Sequence, residues 1–155
     1  MNRKSEALLI VASIGGGFMG VSIVLAELLK VSYFTLGHFL IFGSALAFFG
    51  YFIYAGLVFA SNNENNKHLK ITFLLQIPWV SSPILVYKIA AGFSLSGLFH
   101  AGGFNFLYNM GSDFNFGIFN GQSWGLGLNI AAVGLYYLAS NQVATVPNKK
   151  INKDT

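Results

Sequence analysis

Seven polar residues stand in otherwise apolar surroundings and are the ones whose chemistry needs an account: Glu27, Lys30, His38, Gln76, Lys88, His100 and Asn129. Ionisable groups inside a membrane are costly and mark functional positions by default. Glu27 and Lys88 would form an ion pair between two membrane segments, while Lys30 would extend its amine to the interface. Two neutral imidazoles suffice as axial ligands of a haem, and His38 and His100 would both lie towards the outer side. No spacing rule links them, so no haem, metal or other cofactor is assigned. Gln76 sits beside Pro78 and Pro83, where a polar side chain either satisfies carbonyls freed by a kink or lines a polar path with Ser81 and Ser82. Asn129 is the residue suited to a hydrogen bond between helices.

None of these makes a catalytic centre. The chain has no Ser, His and acid grouping in a recognisable context, no paired carboxylates, and no Gly-rich loop followed by Lys and Ser or Thr. Gly15, Gly16 and Gly17 lie within an apolar run and are not a phosphate loop. With no cysteine at all, thiol redox work, disulfides and thiolate metal sites are excluded. A non-enzymatic role is expected.

The elements that would position these residues are membrane spans. Only 9% of the 155 residues are charged and 54% are hydrophobic, against roughly 25% charged in a soluble domain. Residues 7–26, 31–60, 71–87 and 114–147 contain no Asp, Glu, Lys or Arg, and about 20 apolar residues cross a bilayer as a helix. The expected fold class is therefore an all-α integral membrane protein. Its four transmembrane helices, near residues 7–29, 35–60, 71–91 and 123–142, would form two hairpins in a single domain.

The charges orient that arrangement. Arg3, Lys4, Lys67, Lys70, Lys149, Lys150 and Lys153 fall on one side and only Lys30 and Lys88 on the other. The positive-inside rule then places both termini, the loop 61–70 and the tail 143–155 in the cytoplasm of a bacterial-type inner membrane. The net charge of +4 is accounted for by these edges, so no nucleic-acid partner is inferred. A cleaved signal peptide is disfavoured because the first apolar run is long for one and carries a small-residue stripe.

That stripe, Ala12, Gly16 and Gly20, recurs every four residues and allows close helix approach. Gly43 and Gly50 repeat it in the second span and Gly127 in the fourth. Between residues 92 and 122 the chain is rich in Gly, Phe and Asn and has no Lys or Arg. Alternation puts Phe104, Phe106 and Tyr108 on one side of a strand and Phe114, Phe116 and Ile118 on one side of another, with a turn over 110–113. A short outer β-hairpin is expected, with an interfacial helix or re-entrant loop as alternatives. A five-span arrangement, with residues 89–110 crossing, would set the tail against the charge bias.

Two functions fit this reading. In the first, the protein is an accessory subunit that uses its grooves and the surface of Phe104, Phe106, Phe114 and Phe116 to hold a membrane-protein partner or a second copy. In the second, an oligomeric transporter or channel runs a polar path beside the Pro-kinked third span.

Overall fold

The computed structural model describes residues 3–62, 65–119 and 121–141. The tail 143–155, with Lys149, Lys150 and Lys153, lies outside the described residues. Helix α1 (Arg3–Leu28) and helix α2 (Leu36–Ser61) are each 26 residues long and apolar enough to cross a membrane. At 1.5 Å per residue each is about 39 Å long, more than the roughly 30 Å of hydrocarbon. They form an antiparallel hairpin. Gly17 backs onto the Phe49 carbonyl and Ile53, and Gly20 onto the Phe49 ring. A π-helical turn at Val11–Gly15 widens α1, and there Ser13 Oγ donates to the Phe52 carbonyl at 2.6 Å.

The second half of the chain overturns the four-helix expectation. Helix α3 (Lys67–Gln76) ends after ten residues and leads into strand β1 (Pro78–Ser81). Strands β2 (Leu85–Ala90), β3 (Phe93–His100), β4 (Gly103–Met110), β5 (Asp113–Ile118) and β6 (Gly125–Asn129) follow, and helix α4 (Ile130–Asn141) closes the described chain. The protein is an α/β structure with a six-stranded sheet, wholly antiparallel, in the order β4-β3-β6-β1-β2-β5. It is not a helical bundle of four membrane spans.

The physical cause lies in the local sequence. Pro78 and Pro83 cannot donate to a helical ladder, so the third apolar run leaves the helix at Gln76. Gly125-Leu126-Gly127-Leu128 alternates with period two and carries two poor helix formers, which suits a strand. The third and fourth runs are thus each half helix and half strand. A ten-residue helix followed by a four-residue strand covers about 28 Å, close to the hydrocarbon thickness. Apolar length survives while helical continuity does not.

The outer-hairpin expectation is corrected as well. Strands β4 and β5 occupy the expected places and turn at Gly111 and Ser112, but they lie at opposite edges of the sheet and do not pair. Laid flat, six strands would set those edges about 24 Å apart. Met110 and Asp113 are three residues apart and so within about 11 Å. The sheet is therefore strongly curled, an incompletely closed barrel with a seam between β4 and β5.

Two cores result. Leu9, Ala55, Phe59, Leu69, Phe73, Leu135 and Ala139 join all four helices in one layer. Val24, Ala45, Phe49, Phe52, Ile89 and Ala91 join the other halves of α1 and α2 to the sheet. At the boundary Ser112 Oγ donates to the Gly16 carbonyl at 2.7 Å and accepts from Gly92 N at 3.1 Å. The base of the sheet therefore rests against the middle of α1.

Candidate functional site

Strand alternation gives the curled sheet two unlike faces. Gly97 shares a face with Phe106 and Leu128, and Phe99 with Phe104 and Leu126. This convex face also carries Val80, Tyr87, Ile89, Phe114 and Phe116 by register. The concave face carries Ser96 beside Asn129, Leu98 beside Asn105, and Lys88 beside Asn115. Apolar outside and polar inside, with period two, is the pattern of barrels that face lipid or apolar protein rather than water.

The concave face converges on a cleft of about 300 Å³ bounded by Trp79, Ser81, Leu98, His100, Asn105, Asn115, Gln122, Ser123 and Gly125. Both edge strands contribute, which the curl requires. Ser81 Oγ donates to the Ser123 carbonyl at 2.9 Å and lies 3.2 Å from Gln122 Oε1. Deeper in the same face Lys88 pairs with Asp113 and places its Nζ 4.4 Å from the Trp79 ring centre. Ser94, Ser96 and Asn129 fill the base and are buried.

His100 is oriented by two bonds. Its Nδ1 accepts from Gly102 N at 3.0 Å. Its Nε2 lies 2.8 Å from the side-chain amide nitrogen of Asn105.

The residues singled out from sequence are placed as follows. Glu27 pairs with Lys30 at 2.6 Å on an exposed surface, and Lys88 takes Asp113 instead of Glu27. His38 forms a capping box with Thr35 at the start of α2. His38 is bonded to Thr35 and His100 to Asn105 across the β3–β4 pair. Gln76 Oε1 accepts from Ala91 N at 2.7 Å, fixing the end of α3 to the turn after β2. Asn129 Oδ1 accepts from Ala132 N and Leu95 N, capping α4 and bonding strand β3. Outside that set, His68 is engaged by Tyr51 Oη at 2.9 Å.

Among the glycines, a Cβ on Gly16 would stand 2.6 Å from the Ala91 carbonyl carbon, and one on Gly127 would stand 2.7 Å from the Gly97 oxygen. At Gly43 and Gly50 it would meet nothing. The four aromatics divide: Phe104 and Phe106 are more than half exposed, while Phe114 packs on Phe49 and Phe116 lines a crevice against α1 and α2.

Ser81, offered with Gln76 and Ser82 as part of a polar path, lines the cleft, while Asn105, Asn115, Trp79 and Asp113 were not singled out as a site. Asn105 and Asn115 occupy the alternate positions between the phenylalanines, and that complementary polar period was the available signal. No group of three or more metal-ligating side chains occurs among the described residues. No protein-family model, curated protein or solved structure matches this chain.

Proposed function

We propose that this protein is an interaction subunit inserted in a bacterial-type inner membrane by α1 and α2, which holds another membrane protein on the convex face and free edge of β4. Strand β4 carries the reading. Seven of its eight residues are exposed, it presents Phe104, Phe106, Tyr108 and Met110 together, and its outer edge has no ladder partner among the described residues. Contiguous exposed aromatic surface marks an interaction site.

The edge decides between lipid and protein. Hydrocarbon covers aromatic rings but leaves each unpaired N–H and C=O of a strand at a cost of several kcal/mol. A polypeptide covers the rings and pairs the edge by adding a strand. The partner is therefore a protein that offers an extended segment with apolar side chains. Arg3, Lys4, Lys67 and Lys70 lie at the ends of α1 and α3 that share the four-helix layer, and positive charge assigns that end to the cytoplasm.

A photoreactive residue at Phe106, with Leu57 on α2 as the comparison position, tests the reading in native membranes. Protein adducts at Phe106 and lipid adducts at Leu57 are expected. Lipid adducts alone at both positions contradict the reading.

A further inference from the structure

The cleft inside the curled sheet is not used by the proposed docking surface, and its chemistry is of a different kind. The geometry points to a binding site for an uncharged, polyhydroxylated group of about hexose size, either a free sugar or the headgroup of a glycolipid.

The lining selects this class. It contains no carboxylate and no ammonium group, and the nearby Lys88 is already paired with Asp113. A charged ligand would find no counter-ion there. What the cleft does offer is hydroxyl and amide groups that both donate and accept: Ser81, Asn105, Asn115 and Gln122. The Asn115 amide has no partner among the described residues, and the Asn105 side chain is held against His100 Nε2 at 2.8 Å. Trp79 supplies the aromatic wall against which the C–H face of a sugar ring packs. Most of the lining residues are polar, which suits a ligand that presents hydroxyl groups on several sides. The cleft's volume, about 300 Å³, accommodates one ring.

Trp79 and Trp124 are the two tryptophans of the chain, so Trp124→Phe leaves Trp79 as the reporter. The full chain carrying this change is placed in phosphatidylcholine nanodiscs. One arm titrates methyl β-D-glucopyranoside; the other replaces part of the lipid with monoglucosyl diacylglycerol. A saturable change in Trp79 emission that weakens at least tenfold in Asn115→Ala is expected. Asn115 is exposed, so the substitution keeps the fold, and an unchanged melting curve checks this. Response to the free glycoside identifies a soluble sugar, and response in the glycolipid arm alone identifies a headgroup. No saturation in either arm, or saturation undiminished by Asn115→Ala, overturns the proposal.

Discussion

Gln76 and Gly16 show how single residues fasten the sheet to the helices. Gln76 is buried and its side-chain oxygen is the acceptor for Ala91 N; Gln76→Leu would leave that amide unpaired at a cost of about 1–3 kcal/mol. Gly16 faces the Ala91 backbone too closely for any Cβ, so Gly16→Val forces the two apart and costs about 1–3 kcal/mol. Both losses are measured as lowered midpoints of thermal unfolding in mild detergent. The two ion pairs behave differently. Glu27→Ala breaks an exposed pair and leaves the midpoint unchanged. Lys88→Ala strips a partly buried Asp113 of its partner and removes the cation over Trp79. Its cost is on the order of 1–2 kcal/mol, below the range for fully buried pairs because both ends keep solvent contact. These roles were hidden in the sequence because Asp113, 25 residues from Lys88, reaches it only through the β2 and β5 register.

At the scale of elements, the two long apolar runs at the N-terminal end were legible as helices, since their length and composition leave little alternative. The strands near 104–108 and 114–118 were legible from period-two alternation. Their pairing was not, because an alternating pattern specifies a face and says nothing about which neighbour a strand takes. The third and fourth runs misled for a definite reason: apolar composition measures burial or lipid contact, and a strand satisfies it as well as a helix does. Pro78 and the Gly-Leu alternation at 125–128 were the opposing signals. Asn129 marks the switch from strand to helix in the fourth run, its side chain capping α4. Asn129→Ala therefore costs about 0.5–2 kcal/mol, read from the unfolding midpoint, with increased amide exchange confined to the first turn of α4.

For the whole molecule, the apolar surface is turned outward on both the helices and the sheet, and the polar residues of the sheet converge inward. A water-soluble α/β protein would reverse that arrangement, since roughly half-exposed Phe104, Phe106, Leu126 and Leu128 would all face solvent. The cleft was not legible as a site because its walls come from five strands and a loop that only the curl brings together. The absence of cysteine permits the most direct test of this architecture: single cysteines carrying a nitroxide at each position from 125 to 141, with accessibility to oxygen and to a water-soluble nickel complex measured in bilayers. The account predicts alternation with period two over 125–129, high oxygen accessibility at Leu126 and Leu128 and low at Asn129. It predicts a change at Ile130 to a period of 3.6, with Ala132, Leu135 and Ala139 protected. A single uninterrupted period of 3.6 from 125 to 141 would contradict it and restore a continuous fourth helix.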